Sequence, residues 1–156
     1  MSFAERWHQK ECELGLDFIA SGIVNFRGCD LPVSAAPCLG FDAAYKPQKL
    51  LSLVIDPKDI SESDKCNLES FTVFGSDGAG NPICIDEVSG IIYLYDHERG
   101  FREKQLMNTT LTQLAECMLA YMGENDRVRL ENAIKQIDAA ALSVGSFWSN
   151  ELSQLT

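Results

Sequence analysis

The sequence predicts an α+β fold, in which an antiparallel or mixed sheet is backed by helices within one domain spanning residues 1–156. Three observations lead to this prediction. Residues 71–95 contain three short β-rich runs separated by turn formers. Residues 110–122 and 126–142 carry apolar side chains at helical spacing. Helical patterns also occur at both termini, and the C-terminal one is short.

The N-terminal pattern predicts a helix over about the first twelve residues, because Phe3, Trp7 and Leu14 recur near the helical period. Gly15 is expected to end it. The stretch that follows is punctuated by glycine and proline. We therefore predict loop or turn for residues 28–37.

A nearly continuous apolar run, KLLSLVI at residues 49–55, ends at Asp56-Pro57. Such a run predicts a strand that is buried on both faces or lies at the centre of a sheet. The polar and acidic residues 56–69 follow it. They are interpreted as a surface connection, with one turn of helix as the open alternative.

The three β-rich runs at residues 71–95 form the centre of the predicted sheet. Parallel neighbours need a crossover of about a dozen residues or more, so runs this close in sequence predict an antiparallel meander. In the third run, Ile92 and Leu94 alternate with Tyr93 and Tyr95. We expect the aliphatic face to meet the helices and the tyrosines to pack at the rim with their hydroxyls in water.

Two helices are predicted after the sheet, and a third at the C-terminus. Thr110 and Gln113 have the spacing of a capping box at the start of the first, and Gly123 ends it. The second covers residues 126–142. The terminal segment FWSNELSQL is expected to dock through its aromatic side chains as a short helix.

Charge and cysteine content restrict the function classes. Thirteen Lys and Arg against 23 Asp and Glu leave a formal net charge of −10. A field of this sign repels phosphate backbones and anionic lipid, so we expect no direct binding to nucleic acid or to a membrane surface. It attracts a basic protein partner, although solubility explains the acidity equally well. Six cysteines without a C-x-x-C pair, and an N-terminus unlike a secretory signal, predict reduced thiols in a cytoplasm.

The glycine-rich loop GSDGAGN at residues 75–81 matches none of the ligand-binding glycine motifs. Its glycines do not give G-x-G-x-x-G, and no Gly-Lys-Ser/Thr ending follows. A calcium loop needs a third oxygen ligand and a closing glutamate, which are missing. We interpret the segment as a strand connection whose polar side chains bond to their own backbone.

The triplet Asp96-His97-Glu98 is where a divalent ion or an enzyme site is conceivable. Only one other histidine exists, and no cysteine stands beside a base that would lower its pKa. We therefore expect an exposed turn in a protein that is not an enzyme and has no cofactor or bound metal. An enzyme or metal site at the triplet is the less favoured alternative.

Several segments resemble the SUKH superfamily, which groups cell-wall synthesis regulators of yeast with bacterial immunity proteins. The main ones are FGSDGAGNPICID at 74–86, GIIYLYDHE at 90–98 and MNTTLTQLAECMLAY at 107–121. CDLP at 29–32 and FWSNEL at 147–152 are weaker matches. The resemblance implies an α+β fold with a mixed sheet and no catalytic centre.

The same resemblance implies a function. Bacterial members of the family are largely immunity proteins that bind and neutralise a toxin from the same locus, often a nuclease or a deaminase. The expected partner is therefore a toxin with a basic surface, and a regulatory scaffold or adaptor of the same fold is the alternative. The first contact candidates are the polar residues of the sheet edge and loops, namely Asp77, Asn81, Asp86, Asp96, His97 and Glu98. These residues are equally expected to stabilise the loops themselves.

Overall fold

The computed structural model describes residues 1–16, 22–54 and 60–155 and has the predicted α+β architecture. Its strands are β1 Ile23–Phe26, β2 Cys29–Pro32, β3 Ser34–Ala35, β4 Leu39–Gly40, β5 Gln48–Lys49, β6 Phe71–Ser76, β7 Pro82–Asp86, β8 Ile92–Tyr95 and β9 Lys104–Asn108. One sheet has the order β3-β4-β6-β7-β8-β9, and β5 also pairs with β6. All pairs between these strands are antiparallel.

The predicted meander at residues 71–95 is confirmed as β6, β7 and β8. Phe71 lies opposite Asp86, and the register shifts between Val73 and Gly75. A Cβ atom at Gly75 would lie 2.7 Å from Cδ1 of Phe41. Glycine is therefore required where the central strand passes this ring.

The prediction of loop or turn for residues 28–37 is wrong over most of its length, because β2 and β3 lie there. β1 and β2 form a separate hairpin, closed by Arg27 and Gly28 with φ of 52° and 80°. Positive φ at both central residues is typical of a type I′ turn, whose twist matches that of the paired strands. The hairpin buries Phe26 and Leu31 in the main core, and this packing outweighs the turn-rich composition.

Five α-helices occur in the described residues: α1 Phe3–Glu13, α2 Glu62–Leu68, α3 Leu111–Tyr121, α4 Arg127–Ile137 and α5 Phe147–Ser153. None of the five has the length and apolar character that crossing a membrane requires. α1 begins with a full capping box, since Ser2 Oγ accepts from Glu5 N at 3.1 Å and the Glu5 carboxylate accepts from Ser2 N at 2.7 Å. At the start of α3, Thr110 Oγ1 accepts from Gln113 N at 3.2 Å.

The helix predicted over residues 126–142 is interrupted at Asp138. α4 ends one residue earlier, and a 3₁₀ turn at Ala139–Leu142 follows. The Asp138 carboxylate is buried and accepts from Thr109 N and Thr109 Oγ1, both at 2.8 Å, and from Asn108 Nδ2 at 3.1 Å. A buried carboxylate is costly unless it is hydrogen-bonded, so these donors fix Asp138 in a non-helical conformation that breaks the helix.

Asn108 extends this buried polar network to the C-terminal helix. Its side chain is fully buried, and its Oδ1 accepts from Trp148 Nε1 at 2.9 Å. Its Nδ2 also lies 3.3 Å from Cys117 Sγ. One network therefore joins β9, α3, the end of α4 and α5.

The two faces of the sheet carry separate apolar clusters. The inner face meets the helices through Phe74, Ile83, Ile92, Leu94 and Met107. The outer face packs against α2 and a 3₁₀ turn through Phe71, Val73, Cys84 and Tyr95. The aliphatic face meets the helices as predicted. Tyr95 is buried in the outer cluster rather than placed at a wet rim.

The prediction of a strand over residues 49–55 is wrong. Within residues 48–54, which the structure describes, only Gln48–Lys49 pairs with the sheet, and Leu50–Leu53 form the 3₁₀ turn on the outer face. Leu50 is fully buried there while Leu53 is exposed, a one-sided burial that the continuous apolar run did not indicate. For residues 56–69, the alternative prediction of a helix is confirmed, since α2 lies there. Residues 55–59, where parts of both predictions fall, lie outside the described residues.

Candidate functional site

Two loops meet at one end of the sheet, and they contain five of the six predicted contact residues. The first joins β6 to β7 and the second joins β8 to β9. Asn81 connects them, because its Oδ1 accepts from the backbone N of His97 at 3.1 Å and from His97 Nδ1 at 2.7 Å. The loop residues 77–81 and the turn after β8 therefore form one surface.

Asp77 fixes the shape of the first loop. Its Oδ1 accepts from the backbone N atoms of Ala79 and Asn81, both at 2.9 Å, and its Oδ2 accepts from Asn81 Nδ2 at 3.0 Å. The Asp77 backbone N also donates to Asn81 O at 3.0 Å. The polar side chains of this loop thus bond to the loop itself, which is typical of a structural turn.

Asp96 fixes the second loop in the same way. Its Oδ1 accepts from Glu98 N at 2.9 Å, which caps the 3₁₀ turn at His97–Arg99. The Arg99 guanidinium lies between two carboxylates, 3.4 Å from Asp96 Oδ2 and 2.9 Å from Glu103 Oε1. Glu98 is exposed, and its carboxylate has no hydrogen bond or ion pair within the described residues. Among the predicted contact residues at this end of the sheet, Glu98 therefore has the carboxylate that is available to a partner.

Asp86 lies at the other end of β7 and does not belong to this surface. Its carboxylate accepts from Val88 N at 3.0 Å and from Ser89 Oγ at 2.9 Å in the turn that leads to β8. Burial opposes its ionisation, but the hydrogen bonds from Val88, Ser89 and Ser70 outweigh it and lower the pKa of Asp86. The six predicted residues therefore divide into a group of five and a single turn residue.

An open groove of about 620 Å³ lies beside His97. We call it the Phe101 groove. Its apolar lining consists of Leu53, Val54, Ile60, Pro82 and Phe101, and its polar side chains are Asp64, His97, Arg99 and Arg102. This volume falls within the range of ligand-binding pockets.

Phe101 and Gly100 both have left-handed backbones, with φ of 61° and 65°. For a residue with a side chain this conformation costs about 1–2 kcal/mol. The Phe101 backbone N donates to Asp96 O at 3.1 Å, which holds the turn closed. The aromatic ring is therefore held in the groove by a constrained turn.

The residues that line the groove were missed because they come from separate parts of the chain. The stretch DHERGFREK was visible as a polar segment after the meander. The feature of this stretch that could have indicated the groove is Phe101, which follows Gly100 and lies between Arg99 and Arg102. Asp64 and Pro82 join Arg102 only through the fold.

Cys84 and Cys117 are the two buried cysteines of the chain. Burial raises the pKa of the Cys84 thiol to about 12, and burial does the same for Cys117 despite its contact with Asn108. Thiols with such pKa values are not nucleophiles at neutral pH. Across residues 1–16, 22–54 and 60–155, no three His, Cys, Asp or Glu side chains are grouped so that they could hold a metal ion.

The surface at this end of the sheet therefore combines two loops held by hydrogen bonds, the exposed carboxylate of Glu98 and an open groove. No protein-family model, no curated protein and no solved structure matches this chain.

Proposed function

We propose that this chain is a SUKH-like immunity protein, a non-enzymatic domain that binds and neutralises a cognate bacterial toxin with a basic surface. One observation carries the proposal: the loops at residues 77–81 and 96–101 are held by their own hydrogen bonds and present the exposed carboxylate of Glu98, which has no partner among the described residues. A surface that is ordered before binding loses little conformational entropy when a partner docks.

The charge of the chain supports the choice of a basic partner. The net charge is −10. Complementary fields raise the rate of encounter and suppress partners of like charge. A nuclease toxin with a cationic groove for nucleic acid is the kind of protein that this field attracts.

The proposal assigns the protein to the cytoplasm, where such a toxin acts. All six cysteines are free thiols, and Cys12, Cys38 and Cys66 are exposed. Exposed free thiols persist in a reducing compartment and are prone to oxidation outside it.

The test is co-expression with the toxin domain encoded at the same locus. We expect the wild-type chain to restore growth and to co-purify with the toxin in a complex that weakens as salt increases. Glu98→Lys should weaken the complex by about tenfold, since it replaces attraction by repulsion at the contact. The matched control is Glu131→Lys, the same charge reversal at an exposed position of α4.

Two results would count against the proposal. Failure of the chain to neutralise any toxin from its own locus would remove the immunity function. Equal weakening by the two charge reversals would show that Glu98 is not at the contact. A regulatory scaffold of the same fold predicts a host protein in the complex and no rescue of growth.

A further inference from the structure

His97 is the residue through which the loop after β8 is joined to the loop after β6. Its backbone N and its Nδ1 lie 3.1 Å and 2.7 Å from the same atom, Asn81 Oδ1. The side chain of His97 is exposed. A Cβ atom at Gly80 would lie 3.8 Å from His97 Cε1, so one edge of the ring lies beside the first loop. These contacts hold the imidazole in one orientation before any partner binds.

The orientation of the Asn81 amide follows from its neighbours on both sides. The backbone N of His97 can only donate, so the atom that faces it is the amide oxygen. An ionised carboxylate can only accept, so the atom that faces Asp77 Oδ2 at 3.0 Å is the amide nitrogen. Both contacts require the same orientation of the amide, and the flipped orientation is excluded.

The Asn81 amide in turn determines which ring nitrogen of His97 carries the proton in the neutral imidazole. A carbonyl oxygen cannot donate, so Nδ1 must be the N–H donor in its 2.7 Å contact with Asn81 Oδ1. The neutral ring then has its lone pair on Nε2. Within the part of the chain that the structure describes, Nε2 has no hydrogen-bond partner. An exposed acceptor is therefore present beside Glu98.

Two carboxylates without a cation partner lie on the loops that meet at His97. Asp77 accepts only from N–H groups of its own loop, and no ion pair involves it among the described residues. Glu98 is exposed and likewise has no ion pair there. A cationic N–H donor is therefore the group that both the lone pair of Nε2 and the neighbouring charges favour.

The cations that follow His97 in the chain are engaged by other groups. Arg99 lies between two carboxylates, and Arg102 Nε lies 3.8 Å from a carboxylate oxygen of α2. Lys104 Nζ lies over aromatic rings of the outer face. None of these cations has a hydrogen bond to His97 Nε2. The acceptor is thus left for a donor from another molecule.

We propose that His97, held as the Nδ1–H tautomer by Asn81 and Asp77, contacts the partner directly, and that its Nε2 accepts a hydrogen bond from an arginine or lysine side chain. This inference rests on the proposed function, because the basic surface of the toxin supplies the donor. It adds to the charge attraction of Glu98 a directional contact that needs one specific tautomer. An anionic group of a partner would meet the lone pair and two carboxylates, and is disfavoured.

The tautomer is tested on the free chain by long-range proton–nitrogen correlation NMR at about pH 8, above the usual pKa of histidine. We expect Nδ1 of His97 to be protonated and Nε2 to give the signal of an unprotonated ring nitrogen. In Asn81→Ala the acceptor is lost, and we expect the ring to exchange between both tautomers. Protonation of Nε2 in the wild-type chain, or an unchanged tautomer in Asn81→Ala, would overturn the inference.

The contact is tested in the complex with the toxin domain encoded at the same locus. His97→Phe keeps a ring but removes the Nε2 acceptor, and we expect it to weaken the complex by about tenfold. His8→Phe is the matched control, since His8 is half-exposed on α1 and its Nδ1 lies 3.0 Å from Glu11 Oε1. We expect this control to change the affinity by less than about twofold, because α1 packs against the inner face of the sheet.

The binding results separate the contact at His97 from the proposed function. A wild-type chain that binds no toxin from its own locus would overturn both. A complex that forms with the wild-type chain and is weakened equally by the two histidine substitutions, or by neither, would overturn the contact alone. Urea denaturation of His97→Phe in parallel shows whether a loss of affinity comes from the contact or from unfolding. A loss that is explained by unfolding would also count against the contact.

Discussion

The two faces of the central sheet differ in how completely the chain covers them. On the inner face, Phe74 is fully buried and stacks between Phe26 and Phe41, with ring centroids 4.7 Å and 5.8 Å apart. The inner face also packs against α1, α3, α4 and α5. Among the described residues, the outer face has only the short α2 and a 3₁₀ turn over it. The inner face therefore carries the larger apolar core, and the groove lies beside the thinly covered outer face.

The outer face compensates for its thin cover with aromatic contacts. Phe71 meets Tyr93 and Tyr95 edge to face, at centroid distances of 5.8 Å and 5.1 Å. Lys104 Nζ lies over all three rings, 4.4 Å from the Tyr93 centroid at the closest. Aromatic pairs and cation–π contacts add about 0.5–1.5 kcal/mol each in protein structures. A thinly covered face of a sheet can therefore be ordered by a few directional contacts.

Matched substitutions of one phenylalanine on each face compare the two faces directly. Phe74→Ala should lower the free energy of unfolding by about 4 kcal/mol, because the cavity lies between two rings in a dense core that relaxes little. Phe71→Ala makes the same change on the outer face and should cost about 3 kcal/mol, since this smaller cluster can collapse more easily around the lost ring. Urea denaturation of both variants gives the comparison. Equal losses would mean that the outer face is as tightly packed as the inner one.

A somewhat smaller effect is expected from the polar network of the inner face. Asn108→Leu removes the acceptor of Trp148 Nε1 and one donor of the buried Asp138 carboxylate. Leaving buried polar groups unsatisfied should lower the free energy of unfolding by about 3 kcal/mol.

Asn67→Leu is the control for this substitution. Asn67 is exposed on α2, which covers the outer face, so the same change should stay within about 0.5 kcal/mol in urea denaturation. If Asn108→Leu costs no more than the control, the buried network has no net stabilising role.

The meander could be predicted because the residues that determine it are close together in the sequence. The alternation of Ile92 and Leu94 with the tyrosines assigns each residue to a face, and the short turns determine an antiparallel order. The loop 77–81 was also predictable, since the hydrogen bonds of Asp77 join residues that are close in sequence.

The elements that could not be predicted from the sequence depend on contacts between residues that are far apart in the chain. The continuous apolar run at 49–55 did not indicate a 3₁₀ turn, because only the packing of Leu50 under the outer face decides it. The break at Asp138 depends on Asn108 and Thr109, about thirty residues earlier in the chain. The Phe101 groove likewise exists only where distant segments meet, so sequence patterns gave its arginines no special status.

One ion pair joins the β1–β2 hairpin to the turn after β7, and its loss should change stability less than the substitutions above. The Arg27 guanidinium donates to the Glu87 carboxylate, and Arg27 also lies over the Phe26 ring, 5.1 Å from its centroid. The hydrogen bond from Arg27 lowers the pKa of Glu87, although partial burial opposes this. Both side chains remain partly exposed, 43% for Arg27 and 30% for Glu87, so the pair should contribute less than about 1 kcal/mol.

The sign of the pH dependence follows from the lowered pKa of Glu87 in the folded state. The stabilisation is present above the unfolded value near 4.5 and is lost as the pH falls through the folded pKa. Glu87→Gln should therefore lower the free energy of unfolding by less than about 1 kcal/mol at pH 7, with the difference from wild type vanishing in acid. In an Arg27→Met background, the same substitution should show a weaker pH dependence. A large loss at neutral pH would mean that charge, rather than apolar burial, holds the hairpin against the inner face.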